Sequence, residues 1–221
     1  MTSPHDRFTE LHVLLQAYEW TGGHAFDDTM EAPGAGLTSY LRVIAPTPQR
    51  AAAAVREIDD LLTVGLFSDE IADDVDLLPH LEPPTGASVE DCLRVVRHHL
   101  CQFLAKPPTD GAVPRPQTRW EWRERFPGLS HLLGSYFHQD FSREYGSHAE
   151  AINDYLAQEA PEDHQAAAHD IESFLAMNPT PDELQQAARA LDLRILPPAG
   201  ISLRQWLLDI RGILTHHRPN A

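Results

Sequence analysis

The chain has 221 residues, 42% of them hydrophobic, and 17 Lys plus Arg stand against 33 Asp plus Glu, for a formal charge of −16. This length allows one large core or two of roughly 100 residues, while the acidity repels nucleic acid and anionic membranes and steers a basic partner inward, besides serving solubility. No apolar run approaches the ~18 to 20 residues of a membrane span and the N-terminus lacks the regions of a signal peptide, so the expectation is a cytoplasmic protein.

Phe8, Leu11, Leu14, Leu15 and Tyr18 recur at helical spacing and predict an opening amphipathic helix. The acidic pair Asp27-Asp28 follows it. Thr47-Pro48 marks a helix start with proline at the first helical position, and Ser68-Asp69-Glu70 marks another, leading into Asp73, Asp74 and Asp76. After the Pro-rich junction 83–87, Ser88 followed by Glu90 and Asp91 caps a helix whose stripe is Leu93, Val96, Leu100 and Phe103. Cys92 and Cys101 lie on this helix about 13 Å apart along its axis, too far to bridge within the chain. In the second half, Ser147-His-Ala-Glu150, Thr180-Pro-Asp-Glu183 and Ser202-Leu-Arg-Gln205 fit capping boxes. Only Leu41–Ile44 and Leu191–Ile195 could pass for strands, and both sit in helical surroundings.

The two halves repeat one another. Phe8 to Tyr18 aligns with Phe126 to Tyr136, Tyr40-Leu41 with Tyr155-Leu156, Ala53 to Ile58 with Ala166 to Ile171, and Pro83 to Ser88 with Pro197 to Ser202. So long a period excludes the short solenoid repeats of ~20 to 50 residues. The expected architecture is all-α, with two tandem, structurally similar helical domains at residues 1–105 and 119–218 and a Pro-rich linker at 106–118. Charge is uneven between them, −11 over residues 1–110 and −5 over 111–221, which makes the first half the more attractive to a cation.

Thirteen histidines invite a metal or catalytic reading. Yet His98-His99 and His216-His217 are adjacent and diverge by about 100° on a helix, and the chain has no His-Glu-x-x-His, Cys-x-x-Cys, nucleophile elbow or phosphate-cradling loop. No metal, cofactor or catalytic residue is assigned. His138-Gln139-Asp140 is the best local cluster, because an imidazole near a carboxylate can do acid-base work; among the core aromatics Tyr136, Phe137, Phe141 and Tyr145 it reads better as a hydrogen-bonded turn. Asp73, Asp74 and Asp76 lack the glycine and terminal glutamate of a calcium loop. The candidate partner-binding residues are therefore Asp27, Asp28, Asp73, Asp74, Asp76, His138, Gln139 and Asp140.

The pattern Leu129-x-x-Leu132-Leu133-Gly134-x-Tyr136-Phe137-His138-Gln139-Asp140-Phe141, then Glu144-Tyr145-Gly146 and Glu150-Ala151-Ile152, resembles the immunity proteins of bacterial contact-dependent growth inhibition. Gly200-Ile201-Ser202 with Trp206-Leu207 is similar to that family's end. The first half matches only as a degenerate copy, with Glu19-Trp20 where the second has Phe-His-Gln-Asp. The resemblance implies a non-catalytic cytoplasmic protein that occludes a cognate toxin domain, often a nuclease, one to one; a basic toxin suits the charge, with no nucleic acid or membrane partner. It leaves the oligomeric state open. The alternatives are a scaffold or adaptor with several weak partners, and an enzyme using His138 and Asp140.

Overall fold

The computed structural model describes residues 7–107 and 114–217. All regular structure among them is helical, and by its contacts the chain divides into two compact units, Met1–Glu121 and Trp122–Ala221. The all-α expectation is borne out. The first unit holds α1 (Thr9–Gly22), α2 (Ala35–Ile44), α3 (Gln49–Val64), α4 (Ala72–Val75) and α5 (Val89–Ala105). The division falls within α6 (Arg119–Arg125): Trp120 is buried in the first core and Trp122 in the second. The second unit continues with α7 (Pro127–Tyr136), α8 (Phe141–Glu144), α9 (His148–Gln158), α10 (Pro161–Met177), α11 (Pro181–Ala190) and α12 (Leu203–His216).

Each unit closes over a core drawn from the apolar stripes. In the first, Leu11, Leu14, Tyr18, Tyr40, Ile58 and Leu100 are fully buried; in the second, Leu129, Leu133, Tyr155, Ile171, Phe174 and Leu207 are. Each such aliphatic side chain contributes roughly 1.5 to 3 kcal/mol of transfer free energy. Ser88 and Asp91 form a complete capping box at the start of α5, each side chain accepting the other residue's backbone N–H, at 3.1 and 3.2 Å. Proline at the first position of α10 and an Asp163 carboxylate accepting the Ala160 N–H start that helix, and Asn178 ends it before Pro179.

One device appears in both units. The N–H of Leu11, in the first turn of α1, donates to Glu57 of α3 at 2.7 Å. The N–H of Leu129, in the first turn of α7, donates to Asp170 of α10 at 3.1 Å. Neither helix has a side-chain N-cap of its own, so a carboxylate from the packed neighbour satisfies an otherwise orphaned donor. In the second unit the two helices also touch backbone to backbone: a Cβ on Gly128 would lie 2.8 Å from the backbone nitrogen of Ala167.

Several local expectations are corrected. Thr180–Glu183 closes as a full capping box, but Ser147 and Ser202 give half of one: Glu150 instead accepts the Gly146 N–H and the Gln205 amide turns to Asp209. Ser68 caps nothing, and α4, which starts only at Ala72, is a single turn where α11 has ten residues. Pro48 is the residue before α3 rather than its first. Leu41–Ile44 is helical, and Leu191–Ile195 leaves α11 through Asp192 at φ +67 without forming a strand. Of the expected linker 106–118, residues 108–113 lie outside the described residues, while Gln117, Thr118 and Glu121 bond into the first unit.

Candidate partner-binding surfaces

Asp28 is buried at 8% exposure and its carboxylate accepts two internal donors, the Tyr18 hydroxyl at 2.5 Å and the Gly34 N–H at 2.6 Å. Burial raises its pKa, opposed by these two hydrogen bonds. Asp27 accepts the Ala35 N–H at 2.9 Å, at the start of α2. Both residues thus fasten the 24–34 loop to α1 and α2. His99, also buried, donates to the Thr29 carbonyl at 2.6 Å and anchors the same loop from α5.

Asp73, Asp74 and Asp76 lie on or just after the single turn α4. Asp74 approaches Arg7 at 3.7 Å, and Arg7 also pairs with Asp60 and Glu70. Asp73 and Asp76 are exposed and form no ion pair among the described residues. Beside them runs an apolar groove of ≈ 430 Å³ between the end of α3, the segment after it and the start of α5, with Phe67 at its lip 92% exposed.

In the second unit, His138, Gln139 and Asp140 occupy the turn between α7 and α8. The Asp140 N–H donates to His138 Nδ1 at 3.2 Å, so the neutral ring carries its proton on Nε2, which faces Glu144 at 3.2 Å. The Asp140 carboxylate pairs with Arg143 at 3.0 Å instead of with the imidazole. Gln139 is exposed. The ring and the carboxylate are therefore engaged separately, in a turn further closed by the Phe141 N–H donating to the His138 carbonyl. This is a hydrogen-bonded turn in which the imidazole faces Glu144, not Asp140.

The aromatics around that turn build the second core. Phe137 stacks on Phe141 and meets Trp206 edge-on at 4.9 Å between centroids, and Tyr136 meets Tyr155 edge-on at 5.1 Å. The Tyr136 hydroxyl donates to Glu159 and the Tyr145 hydroxyl to Asp154, both at 2.9 Å. Burial, then its hydrogen bond to Asp154, pushes Tyr145 up to about 12. His131 holds Glu159 below its ordinary value.

Sequence reasoning missed the most buried carboxylate among the described residues. Glu121, 1% exposed, accepts from the Ser39 hydroxyl at 2.6 Å, from Arg42 and from the Gln117 N–H at 2.7 Å. It also missed Asp192, which pairs with Arg123 and Arg194. Their near partners in sequence are Gln117 and Thr118 for Glu121 and Arg194 for Asp192; Ser39, Arg42 and Arg123 are remote. No group of three His, Cys, Asp or Glu placed to hold a metal ion occurs among the described residues, and Cys92 and Cys101 are free thiols. No helix among them is long and apolar enough to cross a membrane.

The arrangement is that of an all-α protein with Asp73 and Asp76 exposed near an apolar groove. Residues 125–214 match the family model described as CdiI immunity protein, a match that lies within the second unit. The resemblance to immunity proteins of contact-dependent growth inhibition is thus borne out for that unit. No curated protein and no solved structure matches the chain.

Proposed function

We propose that this chain is an immunity protein that binds a cognate toxin domain in the cytoplasm and neutralises it by one-to-one occlusion, without turnover. The observation that carries this reading is the family match over residues 125–214. The His138–Asp140 turn fits a structural role, since His138 accepts the Asp140 N–H and faces Glu144 while the Asp140 carboxylate pairs with Arg143. A formal charge of −16 favours a basic target such as a nuclease, for which an acidic inhibitor associates fast and keeps nucleic acid from the same face.

The first unit is, in this reading, a diverged second copy of the immunity fold. The paired devices at Glu57–Leu11 and Asp170–Leu129 support that, because the donors align in the repeat and so do the acceptors. Coexpression with the toxin domain encoded beside this chain should restore growth, and the two should copurify one to one. A toxin that kills equally in the presence of this chain, with no complex to isolate, ends the proposal.

A further inference from the structure

The apolar groove of the first unit has a counterpart. In the second unit a groove of ≈ 490 Å³ lies between α11 and the start of α12, and the sequence repeat aligns residues of their linings, Leu66 with Pro179, Ala72 with Gln185 and Val89 with Leu203. The charge at the rim is inverted. Asp76 lines the first where Arg189 lines the second, and the second is further bordered by Arg194 and Arg204.

The first groove also sits in the most one-sided stretch of the chain. Between Arg56 and Arg94 there are eleven Asp or Glu and no Lys or Arg. Arg7 neutralises part of this by reaching Asp60, Glu70 and Asp74, and Arg97 pairs with Asp59. Asp69, Asp73 and Asp76 are exposed and form no ion pair among the described residues. The groove floor is apolar, with Leu61, Leu66, Val75, Leu78 and Leu93, and Phe67 stands beside it almost wholly in water. An aromatic left exposed next to an apolar cleft is stabilised only when something covers it. Asp76 in the lining, with Asp69 and Asp73 close in sequence to the lining residues Phe67 and Ala72, sets the sign of what can.

We propose that this groove docks a segment of the toxin in which large apolar side chains are flanked by Lys and Arg, the apolar residues seating between α3 and α5 and the cations meeting Asp69, Asp73 and Asp76. The proposal rests on the immunity reading and names its contact surface. The mode is an amphipathic segment laid in a hydrophobic groove, with charge supplying approach and register and Phe67 supplying the buried anchor. The second groove, with arginines at its rim, rejects the same segment.

The test uses the full chain and the toxin domain encoded beside it. Affinity is measured for the unaltered chain, for Phe67→Ala, for the triple variant Asp69→Asn/Asp73→Asn/Asp76→Asn, and for Arg189→Glu in the second groove, with hydrogen exchange read over residues 65–81. Phe67→Ala and the triple variant should each weaken binding by about tenfold or more, the triple variant chiefly through a slower, less salt-sensitive association. Both should keep the parent circular dichroism and melting temperature, Arg189→Glu should bind as the parent does, and residues 65–81 should gain protection in the complex. Unchanged affinity in both first-groove variants overturns the docking site while leaving the immunity reading intact. A toxin that does not bind the unaltered chain at all removes both. Self-association of the chain that Phe67→Ala abolishes, with toxin affinity unaltered, overturns the proposal by assigning the groove to a second copy.

Discussion

Glu57 accepts the N–H of Leu11 at 2.7 Å across 46 positions of sequence, and so one side chain starts a helix and ties it to its neighbour. Because the donor lacks any other partner in its helix, truncating the acceptor leaves a buried N–H unsatisfied. Glu57→Ala should therefore cost about 1 to 3 kcal/mol in denaturant unfolding, and Asp170→Ala a similar amount in the second unit. Glu57→Gln and Asp170→Asn keep an acceptor and should lose much less. Equal losses in the Ala and amide variants would show that charge, not the accepted hydrogen bond, is what matters.

The same two carboxylates give stability a definite pH dependence. Burial raises both Glu57 and Asp170 above their ordinary values, and it raises Asp28 as well. The unfolded chain then ionises first, so these groups make stability fall as pH rises from the ordinary carboxylate range, about 4, toward the raised folded values, after which their contribution is level. Glu159 has the opposite sign: lowered chiefly by its hydrogen bond with His131, it contributes stability above its ordinary value and loses it as pH falls through the lowered one. Chemical denaturation of the double variant Glu57→Gln/Asp170→Asn should show a shallower decline above about pH 4 than the parent shows.

Two glycines in helices of the second unit should respond oppositely to alanine. Gly128 faces the backbone of Ala167 at 2.8 Å from an added Cβ, so Gly128→Ala forces α7 and α10 apart and should destabilise by about 1 to 3 kcal/mol. Gly212, inside α12, has nothing within 4 Å of an added Cβ, so Gly212→Ala should stabilise by about 0.5 to 1 kcal/mol. Thermal melts of the two variants check both signs.

His138 accepts the Asp140 N–H and faces Glu144, which makes it a brace for the α7–α8 turn. His138→Ala should lower stability by about 0.5 to 1.5 kcal/mol and leave toxin affinity at a temperature well below melting unchanged. A loss of affinity in a variant that melts like the parent would instead place this turn in the interface.

The helices were legible because their signals are local. Leu93, Val96 and Leu100 mark a buried stripe by spacing alone, and Thr180–Glu183 is a cap complete within four residues. The single turn α4 was not legible, since Ser68-Asp69-Glu70 carries the composition of a cap without a continuous apolar stripe to follow it. Asp27 and Asp28 look like any exposed acidic pair, and only the fold of the loop that brings Tyr18, Gly34 and Ala35 to them makes them fasteners. Glu121 is the extreme case, because Ser39 and Arg42 lie 82 and 79 positions away. A groove depends on where segments come together, so Phe67 drew no attention in the sequence and acquires it only beside Leu66 and Leu78.

The place of Glu121 has a practical corollary for dissecting the chain. Its partners Ser39 and Arg42 lie in α2, far on the other side of residues 108–113. If the protein is produced as two polypeptides, 1–107 and 114–221, the second carries on its leading end Thr118, Trp120 and Glu121, which complete the first. The pieces should reassemble when mixed and part only in denaturant, and the shorter piece alone should melt earlier than it does with its counterpart. A clean dissection has to cut after Glu121, through the middle of a helix.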